Sequence, residues 1–445
     1  MLLHPCFSFL ARVPRFVLPL LLLGLMASGQ AFAADEKKAE RRVAVGKCTS
    51  ETASLLRREA PDKPWQVVKQ NEELFSGDLL LGGAGATVES KNGAVQLTFA
   101  GDMDGTSPFP ILETAVVLHE NADADLDFTF DRGRVDLTNR KQKGPARVQV
   151  RIRDKSGEVV LTEPGARVAL EIYGRWLKGV PFTKDPKPGE GPALAICVLA
   201  LKGEIEIKGK AGHLTLKVPP GPALLMTIDL NDPDFTPQQL KELPAWVVDE
   251  GKSERAKKIK AILAKFRKTA VDKSIPDALD QLLKSEDEFE RRFAIIMTGA
   301  LDDLGRMATA LTTTKHTDVW DAAILALRHW IGRGPGQDQK LYKGLVEQGK
   351  LPAAEAEIVL NLLHSFGDED LARPETYEAL IDYLESDRVG LRALANWHLY
   401  RLVPDGRKIG YDPLASKEKR DQAVKEWRKL VPSGKLPPKP KVDDK

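Results

Sequence analysis

The spacing of apolar residues changes near residue 250, and this change constrains the fold more than any other feature of the chain. From Trp65 to about Ile228, apolar and polar residues alternate, as in Val95-Gln96-Leu97-Thr98-Phe99. Successive side chains of a strand point to opposite faces, so the alternation predicts strands with one buried face. From Ser253 the apolar residues recur with the helical period of 3.6. We therefore expect a multidomain protein, in which an all-β domain at 65–230, sandwich-like or jelly-roll-like, precedes an all-α, solenoid-like domain at 253–432.

Further segments of the β half alternate in the same way. They are centred on Phe128, Val150, Leu170, Ile205 and Leu216. Residues typical of tight turns are predicted to separate the strands. These turn signals are Lys91-Asn92-Gly93, Asp131-Arg132-Gly133, Ser156-Gly157 and Lys202-Gly203.

The helical half carries a weak internal repeat. Its predicted helices are 253–270, 286–304, 317–331, 352–366, 374–385, 387–403 and 416–430. In three of them a polar residue at the start is followed, eight and nine residues later, by a large and a small apolar residue. These sets are Ser285 with Phe293-Ala294, Thr317 with Leu325-Ala326, and Ser386 with Leu394-Ala395. The pattern predicts stacked helix pairs, although an irregular helical bundle remains the alternative because the copies are few and unevenly spaced.

The N-terminus has the features of an export signal. Arg12 and Arg15 precede an apolar run that ends near Met26, and Ala31-Phe32-Ala33 is a small-x-small cleavage site. We expect 1–33 to be a signal peptide, with no transmembrane segment after its cleavage and a periplasmic or secreted location. Residues 34–64 and the proline-containing 231–252 are expected to be linkers, and the lysine- and proline-rich 433–445 a disordered tail.

Charge and cysteine content narrow the functional classes. The chain has 66 basic and 64 acidic residues, and a balanced charge argues against a nucleic-acid-binding protein. Cys48 and Cys197 remain after signal cleavage, and a pair of cysteines in an oxidising compartment is compatible with one disulfide. The alternative is that Cys197, within Leu194-Ala195-Ile196-Cys197-Val198-Leu199, is a buried core thiol.

No motif predicts catalysis, a cofactor or a metal. The acidic segment 121–127 lacks the Gly and Glu that a calcium-binding loop needs at its sixth and twelfth positions, so we interpret it as strand surface. The basic residues Arg147, Arg151 and Arg153 are expected to face its aspartates across strands, with Asp127 and Arg151 as the pair to test. The chain has no His-Glu-x-x-His and no Gly-x-Ser-x-Gly, and its histidines are expected at surfaces or interfaces. The basic helix 253–268 is interpreted as a solvated face, with a surface for polyanions or anionic lipid as the alternative.

Short segments of the β half resemble those of FecR-type domains. They are Leu74-Phe75-Ser76-Gly77-Asp78-Leu79-Leu80, Asn92-Gly93-Ala94-Val95, Phe130-Asp131-Arg132-Gly133-Arg134-Val135, Glu163-Pro164-Gly165-Ala166, Lys202-Gly203-Glu204-Ile205 and Val218-Pro219-Pro220-Gly221. The helical half is similar to HEAT-like repeats, most clearly at Asp387-Arg388-Val389-Gly390-Leu391-Arg392-Ala393-Leu394-Ala395. The first resemblance implies a sensory or scaffolding module of the bacterial envelope. The second implies a protein-binding face without catalytic residues.

These features together predict an exported, non-catalytic binding or scaffolding protein of the cell envelope. Its partner would be an envelope protein or a glycan, contacted through the β domain, the solenoid-like domain or both. An envelope signalling subunit is one alternative. A carboxylate-dependent glycoside hydrolase is another, and it would require two carboxyl groups facing each other across a cleft.

Overall fold

A computed structural model describes residues 42–107, 111–187, 190–209, 212–218, 224–228, 238–239, 247 and 251–438. The predicted signal peptide, most of the predicted linker 231–252 and the end of the tail lie outside the described residues. A strand-rich region is followed by a helical region, as predicted.

Hydrogen bonds link the strands of the first region into one mixed sheet, in which two long strands each pair with more than two neighbours. They are β1 Ala44–Cys48, β2 Leu55–Arg58, β3 Gln66–Val67, β4 Glu73–Phe75, β5 Leu79–Gly83, β6 Thr87–Ser90, β7 Val95–Ala100, β8 Glu113–His119, β9 Leu126–Asn139, β10 Ala146–Ile152, β11 Lys155–Leu161, β12 Arg167–Arg175, β13 Ala193–Gly209, β14 Gly212–Val218, β15 Leu224–Ile228 and β16 Gln238–Gln239. The alternating segments named above lie in β7, β9, β10, β12, β13 and β14. The predicted linker 34–64 contains β1 and β2, whose Cys48 and Leu55 are buried in the core.

Five of the strands close into a barrel. β9 and β10 pair in parallel, and the antiparallel pairs β10–β11, β11–β13, β13–β12 and β12–β9 complete the ring. Closure is possible because β9 and β13 are long and each pairs with different neighbours at its two ends. The inward-facing apolar side chains of all five strands contribute to the core of this region, together with residues of the other strands.

Two predicted turns are in fact bends inside these long strands. Gly133 lies within β9 with φ +90°, and Gly203 lies within β13 with φ +75°. The strand register slips by one residue close to each glycine. A glycine at positive φ occurs in a bulge as well as in a hairpin turn. The two glycine-containing segments therefore do contain the unusual backbone conformation, but the chain does not reverse direction there. The turn assigned to Ser156-Gly157 lies instead at Arg153-Asp154, between β10 and β11.

The second region is helical throughout. Its helices are α1 Glu254–Asp272, α2 Ile275–Leu283, α3 Glu288–Ala300, α4 Leu304–Thr313, α5 Thr317–Gly332, α6 Gln337–Glu347, α7 Ala353–His364, α8 Asp368–Leu371, α9 Pro374–Tyr383, α10 Val389–Leu402 and α11 Lys417–Leu430, with a 3-10 helix at Pro404–Ile409. The predictions missed α2, α4 and α6 as separate helices. Ser253, Ser274, Asp287 and Asp303 cap α1 to α4 by accepting a backbone N–H.

The weak repeat has a structural basis in two of its three copies. In α3, Nη1 of Arg291 donates to the carbonyl of Ser285, six residues earlier, at 2.8 Å. In α10, Nη1 of Arg392 donates to the carbonyl of Ser386 at 2.6 Å, with the same spacing. Both arginines are buried, so each fixes the turn that enters its helix. The middle copy lacks the arginine, and its Leu325 is 46% exposed instead of packed.

The two regions share part of their cores. Each has an apolar cluster of its own, and a third cluster joins them. This cluster contains Leu56, Leu81, Met103, Leu112 and Ala115 of the strand region and Ile259, Ile262, Phe266, Phe293 and Met297 of the helices. The change near residue 250 therefore separates two kinds of secondary structure, not two independent bodies.

The connection between β12 and β13 extends this contact along the helices. Nε1 of Trp176 donates to the carbonyl of Ile331 at 3.1 Å, and the Trp176 ring stacks on the His364 ring with centroids 4.3 Å apart. Farther along, the backbone N–H of Phe182 donates to Oδ1 of Asn361 at 2.9 Å. The connection between two strands of the first region therefore packs against α5 and α7 of the helical region.

Two glycines bring the backbones of the regions into direct contact. A Cβ added to Gly332, at the end of α5, would lie 2.5 Å from the carbonyl oxygen of Gly174 in β12. A Cβ on Gly174 would lie 2.1 Å from the carbonyl oxygen of Gly332. Neither backbone can accept a side chain without moving apart from the other.

Within the described ranges, no helix has both the length and the apolar character needed to cross a bilayer.

Gly332→Ala is expected to lower the free energy of unfolding by about 1–3 kcal/mol or more, because the new methyl group would overlap a backbone oxygen. Gly334→Ala is the matched control, since a Cβ there meets nothing within 4 Å. Chemical denaturation of both variants measures the difference. Equal stabilities would contradict a close backbone contact at this joint.

Candidate functional site

Glu113 of β8 is the centre of a buried charge cluster between the regions. Its Oε1 lies 3.4 Å from Nε of Arg132 in β9 and 3.2 Å from Nη2 of Arg333 after α5. Nδ1 of His329 lies 3.7 Å from the same oxygen. Burial alone would raise the pKa of Glu113, but the neighbouring guanidiniums of Arg333 and Arg132 act in the opposite direction, and the net shift is downward. The carboxylate therefore stays ionised and holds the guanidiniums of both regions.

Asp302, in the turn between α3 and α4, extends the cluster. Its carboxylate accepts from Nη1 of Arg333 at 3.0 Å, from Nη2 of Arg58 at 2.9 Å and from Nε1 of Trp330 at 3.1 Å. Burial lowers the pKa of His329 to about 3, so its ring is neutral near pH 7. Because each charge in the cluster has an opposite partner, we interpret it as structural.

Glu171 of β12 is a second buried carboxyl group. It is 4% exposed and faces Cys197 of β13 and Arg134 of β9 across the strands. Oγ of Ser107 donates to its Oε1 at 3.2 Å, while Oε2 has no hydrogen-bond partner among the described residues. Burial raises the pKa of Glu171 to about 7, and Arg134 opposes this increase only in part. This group therefore titrates near neutral pH.

The disulfide considered between Cys48 and Cys197 is not formed. Both are buried free thiols, and they lie on β1 and β13, which have five other strands between them in the strand order. Burial raises the pKa of Cys48 and raises that of Cys197 to about 12, so both thiols stay protonated. The alternative for Cys197, a core thiol, is the one observed.

Asp127 and Arg151 form the cross-strand pair expected from the sequence. Nε and Nη2 of Arg151 donate to the two carboxylate oxygens of Asp127 at 2.8 and 2.7 Å. Asp127 itself is buried, and Nδ2 of Asn121 also donates to it, at 2.8 Å. The interpretation of 121–127 as strand surface is thus wrong for Asp127, because its carboxylate is buried and its charge is balanced by Arg151.

The remaining sequence candidates occupy structural positions. The histidines were expected at surfaces or interfaces. His364 and His398 are both buried. His364 nevertheless lies at an interface, because its ring stacks on Trp176 of the connection between β12 and β13. In the part of the chain that the structure describes, no three His, Cys, Asp or Glu side chains converge as metal ligands would. Along α1, Lys265 pairs with Glu290 at 2.6 Å and Arg255 donates to the carbonyl of Met103 at 2.9 Å, so these positive charges are already engaged.

A cavity of about 560 Å³ on the helical region is the best candidate for a binding site. It is an open groove between α3, α5, α10 and the segment 404–413. Its walls include Glu288, Arg292, Thr317, Asp318, Trp320, Asp321, Asn396, Trp397, Tyr400, Arg401, Arg407 and Tyr411. We refer to these residues as the helical groove. Sequence analysis missed it because its residues come from elements more than a hundred positions apart.

The aromatic wall of the helical groove is held rigidly. The guanidinium carbon of Arg401 lies 3.7 Å from the centroid of the Trp397 ring, and Nη1 of Arg401 donates to the Trp397 carbonyl at 3.1 Å. Nε of Arg407 donates to the carbonyl of Tyr400 at 3.1 Å. Cation–π stacking and these bonds fix the wall before any ligand arrives.

Several polar atoms of the helical groove lack partners. Nε1 of Trp320, Nε1 of Trp397 and Oδ1 of Asn396 are buried without a hydrogen bond to any described residue. Buried polar groups of this kind are normally satisfied, so they are the natural contacts for a ligand. All three atoms belong to residues of the groove wall but lie beneath its surface, so a partner that displaced their neighbours would meet two donors and one acceptor.

The acidic residues of the helical groove differ in availability. Nε and Nη2 of Arg291 donate to the two oxygens of Asp318 at 3.1 and 2.9 Å. Asp321 remains accessible from the groove, yet the surrounding walls displace water and raise its pKa, while Arg401 and Arg292 act in the opposite direction. Of the three carboxyl groups in the groove, that of Asp318 is therefore occupied, whereas those of Asp321 and Glu288 are open.

No protein-family model, no curated protein and no solved structure matches this chain.

The position of Glu171 predicts a pH-dependent stability. Its pKa is about 7 in the folded protein against the ordinary glutamate value of 4.5, so the folded state binds the proton more tightly. Stability from this group is complete below about pH 4.5 and decreases as the pH rises to 7, by about 3 kcal/mol in total. Glu171→Gln keeps the neutral form and is therefore expected to be more stable than the parent at pH 8.

Urea denaturation of both proteins between pH 5 and pH 8 (roughly the range over which a group with a raised pKa changes charge) measures this difference. Glu204→Gln is the control, because Glu204 lies near the surface and pairs with Lys217 at 2.8 Å. A difference between parent and Glu171→Gln that does not change with pH would contradict the buried, titrating carboxyl group.

Proposed function

We propose that this protein is an exported, non-catalytic binding protein of the bacterial cell envelope, and that its helical groove binds an extended segment of a partner protein. In this proposal the helices act as a solenoid-like scaffold, as their resemblance to HEAT-like repeats implies. The strand region, with its FecR-like and sandwich-like character, serves as the support on which the scaffold is mounted.

The helical groove is the observation that carries this proposal. Three buried polar atoms, on Trp320, Asn396 and Trp397, have no partner among the described residues. An extended peptide presents alternating N–H and C=O groups, which can satisfy an amide oxygen and two indole N–H groups at once. Arg407 and Arg292 stand exposed at the groove with Glu288, so side chains of either charge on the peptide find an opposite partner.

One of the three acidic residues of the helical groove, Asp318, is already committed to a structural pair. A glycosidase needs one carboxyl group as acid and a second one free as nucleophile or base. In the helical groove Asp318 has both oxygens engaged by the buried guanidinium of Arg291, which leaves Asp321 and the exposed Glu288 as the free carboxyl groups. A carboxylate held in this way is a structural anchor, and Asp321 would then act as a hydrogen-bonding or charged contact.

We expect a photo-crosslinking amino acid at Arg407 to capture a protein partner in the native host. The same group at Lys419, exposed on α11 and outside the groove, is the control. Mass spectrometry identifies the captured segment, which is then synthesised for measurement of its Kd by fluorescence anisotropy. Asn396→Ala is expected to weaken binding by about tenfold, since it removes the only acceptor among the three atoms, and Lys419→Ala should leave Kd unchanged.

Equal crosslinking from both positions, or a glycan in place of a protein adduct, would overturn the proposal. Release of sugar products from envelope glycans by the purified protein, abolished by Asp321→Asn, would show that the helical groove is catalytic.

Export is tested separately. The mature protein recovered from the envelope fraction is expected to begin at Ala34, because cleavage follows Ala31-Phe32-Ala33. Intact-mass measurement and N-terminal sequencing identify the cleavage position. Recovery of the chain in the cytoplasm with residues 1–33 still attached would contradict export.

A further inference from the structure

The five-stranded barrel contains an apolar cavity of about 150 Å³ that is partly open to solvent. Every strand of the ring contributes to its lining, through Phe130, Val150, Val159, Ile172, Ile196 and Ile207 among others. An apolar space of about 150 Å³ is large enough to accept a molecule the size of benzene. A barrel with so few strands is normally filled by its own side chains, so a cavity of this size is a candidate site for a small ligand.

Arg153 stands at the end of this cavity, in the turn between β10 and β11. Its Nη1 donates to the carbonyl of Pro192, just before β13, at 2.9 Å. This bond fixes the guanidinium over the barrel end. Its Nε and Nη2 are shielded from solvent and have no hydrogen-bond partner among the described residues.

The unused edge of Arg153 has the geometry that carboxylates select. Nε and Nη2 of a guanidinium donate in parallel and match the two oxygens of a carboxylate. The same edge binds Asp127 in Arg151, two residues earlier, and Asp318 in Arg291. In Arg153 this edge is unpaired, and Arg153 is one of the residues that line the apolar cavity.

The charges around the cavity end are compatible with an anion. Arg153 and Lys155 line the cavity together with Asp154. Asp131 also acts on Arg153, but its carboxylate is paired with Arg132. Burial lowers the pKa of Arg153, and the acids Asp154 and Asp131 oppose this change.

We propose that the barrel cavity binds a small organic acid, whose hydrocarbon part of about six carbons fills the apolar space while its carboxylate accepts hydrogen bonds from Nε and Nη2 of Arg153. This ligand would make the strand region a receptor for short alkyl or aryl carboxylates. The site is separate from the helical groove, so it does not rest on the function proposed above.

Titration of the full mature chain with hexanoate, followed by isothermal calorimetry and by chemical shifts of the barrel amides, tests the proposal. Hexanoate should bind with a Kd in the micromolar to millimolar range, and acetate and dodecanoate more weakly, because one underfills and the other overfills the cavity. Hexanol, which keeps the chain and lacks the charge, is expected to bind about tenfold more weakly or worse.

Two variants locate the site. Arg153→Lys keeps the charge but lacks the paired donors, so it should weaken hexanoate binding by about tenfold. Arg147→Lys, on the same hairpin and exposed, is its control. Ile196→Phe should fill the chamber and abolish binding, and its melting temperature shows whether the barrel still folds.

Equal affinity for hexanol and hexanoate would overturn the carboxylate assignment. Unchanged binding in both Arg153→Lys and Ile196→Phe would overturn the location, and no binding of any acid at millimolar concentration would overturn the site as a whole. None of these results would bear on the helical groove, whose partner is measured by crosslinking.

Discussion

The ionised carboxylate of Glu113 organises the joint between the two regions. It belongs to β8, yet its partners come from β9 and from the end of α5, and through Arg333 it is linked to Asp302 between α3 and α4. A buried charge is tolerated only when compensating groups are held close to it. The strands and helices must therefore meet in one relative position for Glu113 to remain charged, and the shared apolar cluster can form only in that position.

The same joint depends on how the long strands bend. Gly133 allows β9 to leave one set of neighbours for another, and Gly203 does so for β13. A Cβ on Gly133 would lie 2.5 Å from the carbonyl oxygen of Glu113, so the bend and the charge cluster occupy adjoining positions. Barrel closure and the docking of the helices are consequently two results of one local backbone geometry.

The sequence predicted those features that depend on local periodicity. Alternation placed β7, β9, β10, β12, β13 and β14, and the helical period located the start of α1 next to Ser253. Alternation also predicted the pair between Asp127 and Arg151, since both lie on neighbouring strands. It could not show whether Gly133 ends a strand or bends it, because positive φ serves both purposes. The helices α2, α4 and α6 were missed, although α9 is no longer than α4 and was predicted, so helix length alone does not account for the omission.

Features built from distant segments could not be predicted. The helical groove combines α3, α5 and α10, and the partner of Glu113 lies 220 positions away at Arg333. Nothing in the local pattern distinguishes Arg333 from a solvated arginine. Pairing of the cysteines was equally open, because it depends on the order of strands in the sheet and not on the strands themselves.

The contact between Gly174 and Gly332 has a mechanical consequence. Where two backbones touch without side chains between them, no soft layer absorbs displacement. Tension applied to the helical region by a tethered partner would pass directly into β12 and from there around the ring. The barrel would then experience such a load as shear between its strands, the direction in which hydrogen-bonded ladders yield together instead of one rung at a time.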